Sequence, residues 1–377
     1  MIRDKESIYK PETTSHPGLT VVDYLDSFGW SQRDLARRTG ITPKTISEIC
    51  NGKSSISPYT AILFEKVFKR PAHFWLSLQQ LFDEVEARNK LEATIDDWNE
   101  WAKKFPLAEM KRFGWFDEDV KTANVNSLLN FFGVSTPKSW NSVWEAANVS
   151  YRQTRKFKTT PEAISAWVRA TELMAAQLES EVTLKEFNDD YLRSCINQFR
   201  SFTRLKVDKA IPEIQSLCAS AGLLVVWVPE LKHTGISGSA RWLTDKKPLI
   251  ALTLRYKTDD QMWFTFFHEL GHILLHRKEK MFILDNAAED MGDHVIDPPM
   301  QEREEEANRF ASDTLIPPDL LMSFISKNNF DSDSIREFSQ EIGIGPGILV
   351  GRLQREGVIA RHQGNMFKQN LSWTSKE

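Results

Sequence analysis

Residues 265–276 read Thr-Phe-Phe-His-Glu-Leu-Gly-His-Ile-Leu-Leu-His, and this stretch constrains the chain more than any other. His268 and His272 are four apart, so on an α-helix they share one face, a turn apart. Phe264, Phe266, Phe267, Leu270, Ile273, Leu274 and Leu275 crowd the same turns, which predicts a buried helix. A buried imidazole needs a partner, and a metal ion is one that two imidazoles at this spacing share. Glu269 lies between them, on the side where an attacking water would sit, placed to take that water's proton. The pattern predicts a Zn2+ site with His268 and His272 as ligands and Glu269 as general base. Thr258, with Gln261 three residues on, predicts a capping box at the helix start.

Zinc held by a protein needs a third ligand. His276, Asp290, His294 and the run Glu302, Glu304, Glu305, Glu306 are the candidates. Helical phase sorts the run. Ala307, Phe310, Ala311 and Thr314 form one inward stripe at roughly 100° per residue, and Glu304 falls within it. Glu305 lies on the opposite side and Glu306 near the edge; with Glu302 they are expected on a solvated face. A carboxylate pointing inward is costly unless paired or bound to metal, so Glu304 is the expected third ligand. Asn308, one turn on, is placed to hydrogen-bond a ligating side chain. His276 drifts away from the metal and is read as a core group or as a partner to a ligand. Neither it nor Tyr256 is assigned as an oxyanion donor.

Three strands are expected before the metal helix. Residues 222–228 are an apolar, β-branched run. Ile236–Leu243 and Pro248–Leu254 read as a hairpin turning at 244–247. Gly238, Ser239 and Ala240 carry little side-chain bulk. Two readings stay open for them: an edge to which an extended peptide substrate pairs, or a plain structural hairpin.

The front of the chain has a different grammar. His16-Pro17-Gly18 starts a helix through Val21, Val22, Tyr24, Leu25 and Phe28 that stops at Gly29. Ser31 and Asp34 form a capping box for a second helix, and Gly40 breaks it. Thr42 caps a third helix with Pro43 at its first position, ending at Asn51-Gly52. With Ile41, Ile46 and Ile49 facing in, this is a helix-turn-helix. Arg33, Arg37, Arg38, Lys44 and Lys53 outnumber Asp34 and Glu48, which suits phosphate contact. Lys44, Thr45 and Ser47 point outward, toward base edges in a major groove; Arg33, Thr42 and Lys53 complete the candidate DNA-binding set. The competing reading is a three-helix packing module or a protein-binding domain.

At 377 residues the chain has room for several domains, and its net charge of -4 confines nucleic-acid binding to a local surface. Cys50, Cys195 and Cys218 are too few and too scattered for a disulfide framework, which fits a reducing cytoplasm. The start, MIRDKESIYK, lacks the apolar centre of a signal peptide, and no run approaches 18 apolar residues. Residues 85–215 read as a helical scaffold with Trp98, Trp101, Trp115, Trp140, Trp144 and Trp167 as core. The expected division is 1–84, 85–215, 216–318 and 319–377. The last part is helical, packs rather than touching DNA, and ends in ten disordered residues. The fold class is mostly α with a small β-sheet (α+β).

Residues 16–84, with the SQRDLARRTGITPKTIS core, the NGK turn and the FWLSLQ helix, resemble the domain of HigA-type helix-turn-helix antitoxins. That resemblance implies operator DNA as a partner and a homodimer. Whether Ala72–Phe82 is core or dimer surface stays open. Residues 210–320, with FHELGHILLH, EREEEANRFASDTLIPP and the GSARWL…PLIALTLRY hairpin, resemble ImmA/IrrE-type metallopeptidases, zincin-like in fold. That resemblance implies cleavage of a repressor protein, with His268, His272, Glu304 and Asn308 matching the family's ligand pattern. The acidic stretch 281–300 departs from the pattern and is read as a flap. The expectation is a DNA-binding transcriptional regulator carrying a zinc endopeptidase that cleaves a repressor or antitoxin. The alternative is a HigA-like antitoxin or repressor whose peptidase-like half is a non-catalytic sensor or partner-binding module.

Overall fold

The computed structural model describes residues 14–116, 124–152, 160–232, 234–255, 257–276, 283–285 and 298–373. The chain divides into two compact units, Met1–Asn99 and Glu100–Glu377.

The first unit is helical: α1 (Pro17–Phe28), α2 (Gln32–Thr39), α3 (Pro43–Cys50), α4 (Pro58–Phe68) and α5 (Ala72–Ala102), which runs past the boundary. Local chemistry sets each start. Ser31 and Asp34 make the reciprocal capping box of α2, and the Thr42 hydroxyl accepts from Thr45 N–H with Pro43 opening α3. Gly29 and Gly40 end α1 and α2 in the left-handed region, which costs a glycine little. Val21, Leu35, Ile46, Phe64 and Trp75 have no exposed surface and form the core. Ile49 joins them, whereas Ile41 is only partly buried. Within 72–82, Trp75 enters this core and Gln79 is buried, its Oε1 accepting from Ile56 N–H at 2.9 Å.

The second unit opens with helices: α6 (Leu107–Arg112), α7 (Val125–Phe132), α8 (Pro137–Arg152), α9 (Pro161–Glu181), α10 (Asp189–Ser194), α11 (Ile196–Phe202) and α12 (Val207–Ser220). Trp140, Trp144 and Trp167 are buried, while Trp98, Trp101 and Trp115 are only partly so. α10 and α11 are separated only by Cys195, which caps the end of one and the start of the other.

Then come β1 (Leu224–Trp227), β2 (Gly238–Thr244), β3 (Lys247–Leu252), α13 (Asp259–Leu275), β4 (Ile283–Asp285), α14 (Pro298–Leu315), α15 (Pro318–Ser326), α16 (Ser332–Glu341) and α17 (Pro346–Arg355). The sheet order is β1-β3-β2-β4, with β1 parallel to β3 and β2 antiparallel to both neighbours. The fold is mostly α with a small sheet. Phe266, Phe267, Leu270 and Trp263 of α13 are fully buried in a core shared with β1, β3, α12, α14 and α17. In the tail, Ile344, Ile348, Val350 and Leu353 all face this core, so α16 and α17 are packing elements.

Two expectations fail at the start of α13. Thr258 is its N-cap residue but makes no side-chain capping bond, so no capping box forms there. Nor do the last ten residues wander, as far as Trp373. Asn370 bridges to Thr258, Gln369 N–H donates to Asp259 Oδ1 at 2.8 Å, and Lys368 Nζ lies 2.8 Å from Asp260 Oδ2. The reason is electrostatic: Asp259 and Asp260 are buried, and buried carboxylates need partners.

Candidate metal centre

The face of α13 that carries the histidines looks toward α14. Gly271 permits the approach: a Cβ there would lie 3.3 Å from Ala307 Cα and 3.1 Å from Phe310 Cδ1. Ala307 and Ala311 are fully buried against it, as their phase requires. Glu304, one turn earlier on α14, is thereby delivered to the histidines. Its carboxylate oxygens lie 3.3 Å from His268 Nε2 and 3.5 Å from His272 Nε2, and the two Nε2 atoms are 3.0 Å apart. Among the described residues, these three form a group with metal-ligand spacing, one ligand atom of each falling within 4.8 Å of the others.

The protonation of the rings follows from their other nitrogens. His268 Nδ1 sits 3.1 Å from Asn308 Oδ1. An amide oxygen only accepts, so His268 carries its hydrogen on Nδ1 and turns its Nε2 lone pair to the site. His272 Nδ1 faces His276 Nδ1 at 3.1 Å, and His276 Nε2 faces Glu306 Oε2 at 2.9 Å. Burial, helped by the neighbouring His268, holds the His272 imidazole well below its usual pKa. It is therefore neutral at pH 7, the form that ligates metal. Two imidazole lone pairs and a carboxylate thus converge on one point, an arrangement that a cation stabilises and that suits zinc's preference for nitrogen and oxygen donors. The donor set fits the metal expected.

Glu269 is fully buried beside this point and backs onto Gly238 of β2. The strand it meets is not an edge, which corrects the expectation for Gly238, Ser239 and Ala240. β4 takes the outer place, pairing Gly238 with Asp285, Ser239 with Leu284 and Ala240 with Ile283. An open strand edge is an unsatisfied row of donors and acceptors, and here the chain covers its own. Asp290, His294 and Tyr256 lie outside the described residues, as does most of the stretch read as a flap.

Glu306 is exposed, as its phase predicts, and its carboxylate also accepts from His276, a contact that phase alone does not show. The signal was the repeat of histidines at 268, 272 and 276: each is one turn from the next, so His276 stacks under His272 and needs an acceptor of its own.

In the first unit the candidate DNA residues lie on α2, at the cap and on the body of α3, and in the turn after it. Arg33, Thr42, Lys44 and Lys53 are exposed, and Thr45 and Ser47 are half-buried. The Thr42 and Thr45 hydroxyls are 2.9 Å apart, and Ser47 Oγ accepts from Asn51 Nδ2 at 3.2 Å. Lys44 has a loose partner in Glu48 at 3.8 Å; Arg37 is paired with Asp34, and Arg38 stacks over Trp30 at 3.9 Å.

Fold and site together define a two-part protein, a helix-turn-helix unit followed by a domain of metallopeptidase-like fold. Residues 23–75 match the helix-turn-helix family, and residues 225–354 match the IrrE N-terminal-like domain, a peptidase family. The chain thus carries a helix-turn-helix domain in its first unit and an IrrE N-terminal-like domain in its second. Virulence-associated protein A of Dichelobacter nodosus is 39% identical over 72 residues, 19% of this chain and 71% of the relative. Virulence-associated protein A' of the same organism is 38% identical over 69 residues, 18% of this chain and 60% of the relative. Among solved structures, an addiction module antidote protein of the HigA family from Coxiella burnetii is 31% identical. That match covers 22% of this chain and 91% of the other, with a TM-score of 0.21. The Pseudomonas aeruginosa antitoxin HigA, solved with the higBA promoter, is 27% identical over 22% of this chain and 94% of the other, with a TM-score of 0.22. Among the described residues, no helix is long and apolar enough to cross a membrane.

Proposed function

We propose that the protein is a cytoplasmic, DNA-binding transcriptional regulator whose second unit is a zinc endopeptidase acting on a protein partner such as a repressor or antitoxin. The observation that carries the peptidase reading is the meeting of the His268, His272 and Glu304 donors beside buried Glu269. Those three residues would hold the metal. Bound there, zinc supplies Lewis acidity, polarising a peptide carbonyl and letting water attack near neutral pH. Glu269 takes the proton from the attacking water and passes it to the departing amine nitrogen. Asn308 keeps the His268 ring oriented. For the first unit, the capped α3 and the exposed Arg33, Lys44 and Lys53 support binding of operator DNA, with the two copies of a homodimer reading two half-sites.

The test is a substrate trap. Full-length protein with Glu269→Gln should bind one zinc per chain and retain a protein that the parent chain cleaves. A chain that takes up zinc but cuts nothing, with either residue at 269, supports a non-catalytic sensor. A chain that takes up no zinc removes the peptidase.

A further inference from the structure

Resting on the metal-site reading, we infer that Glu306, acting through His276, fixes the tautomer and orientation of His272 and so sets how tightly the site grips its metal. Glu306 Oε2 is 2.9 Å from His276 Nε2, and His276 Nδ1 is 3.1 Å from His272 Nδ1. A carboxylate only accepts, so His276 carries its hydrogen on Nε2. A neutral imidazole has one N–H, which leaves His276 Nδ1 as an acceptor. His272 Nδ1 must then donate to it, and the lone pair of His272 is left on Nε2, facing His268 and Glu304.

Without Glu306 this order is no longer enforced. His276 is then free to carry its hydrogen on Nδ1 and donate to His272. That places the hydrogen of His272 on Nε2, where the metal needs a lone pair. His276 is nearly buried, with a tenth of its side chain exposed, so water competes poorly for it. Helix α14 thus governs both ligating rings by their Nδ1 atoms: Asn308 directly for His268, and Glu306 through His276 for His272. It also supplies the third ligand, Glu304. Glu306 is a positioning residue, and groups that orient ligating histidines typically change metal affinity by 10–100-fold. Its own carboxylate is half exposed, which puts the expected effect near the lower end.

The experiment titrates the full chain with zinc alone, in competition with a chromophoric chelator. Glu306→Ala should weaken zinc about tenfold, and Glu306→Gln, whose amide oxygen still accepts, should stay within about threefold of the parent. Adding His276→Ala to Glu306→Ala should cost nothing more, since the two act in one chain. Histidine 15N spectra of the zinc-free protein should show His272 moving toward the Nε2–H tautomer in Glu306→Ala only. Parent-like affinity and tautomer in Glu306→Ala overturn the inference. So does an equal loss in Glu305→Ala, which would mark a general charge effect. His268→Ala separates the two levels: if it too leaves zinc affinity unchanged, the metal site itself is wrong, whatever Glu306 does.

Discussion

Gly238 of β2 and Glu269 of α13 pack so closely that no side chain fits at position 238. A Cβ there would lie 2.5 Å from Glu269 Oε1 and 2.7 Å from Thr265 Cγ2. Both neighbours are buried, so neither has room to yield. Gly238→Ala should therefore turn the Glu269 carboxylate away from the metal point. We expect cleavage of the trapped partner to fall at least about tenfold, with zinc stoichiometry retained and unfolding free energy lowered by about 1–3 kcal/mol. Parallel cleavage, metal and urea-denaturation measurements check this; full activity at unchanged stability would mean the strand simply shifts.

Burial raises the Asp259 carboxyl to about 6, against the pull of backbone N–H groups that favour its charged form. Between the unfolded value of 3.8 and about 6 the folded chain holds this proton more tightly than the unfolded chain. Its contribution to stability is therefore present at low pH, is lost as pH rises through that window, and is gone above about 6. Asp259→Asn keeps an acceptor for Gln369 N–H and removes the titration. Relative to the parent, the variant should gain on the order of a few kcal/mol between pH 4 and pH 7. Urea midpoints of both proteins at the two pH values decide it; a pH-independent difference means Asp259 ionises normally.

Lys368 is the cation beside Asp260, whose side chain is only 4% exposed. Lys368→Met should cost about 3–5 kcal/mol, because it strands a charge in the core. Asp260→Asn combined with Lys368→Met should recover much of that loss. Denaturation of the single and double variants reads the coupling directly.

On the first unit, Lys44 projects from the start of α3 with 85% of its side chain exposed. Lys44→Ala should weaken binding to the protein's own promoter DNA and lower the salt-dependence slope by about 1. Arg37→Ala should do less, since that guanidinium is already paired with Asp34. Fluorescence anisotropy at several salt concentrations separates the two.

The parts legible in the sequence were those written in local chemistry. Ser31 with Asp34, and Thr42 with Pro43, each announce a helix start that forms. The inward phase of Glu304 relative to Ala307 and Ala311 placed it toward the α13 histidines. What the sequence withheld depends on pairing between distant segments. Nothing in residues 283–285 says that they lie beside Gly238–Ala240, because a three-residue strand has too little pattern to read. The docking of Lys368 and Gln369 was hidden for a similar reason: its cause is the burial of Asp259 and Asp260, which only the packed core reveals. Glu306 is exposed as its phase predicts, but phase says nothing of which neighbour reaches it, and His276 does so from another helix.

The placement of β4 bears on how such an enzyme would be restrained. A peptide aligning with Gly238–Ala240 finds those backbone groups already matched by the chain's own segment. Its arrival is then an exchange of one partner for another, at little net gain in hydrogen bonds. Selectivity would then rest less on adding a strand than on displacing the one already there.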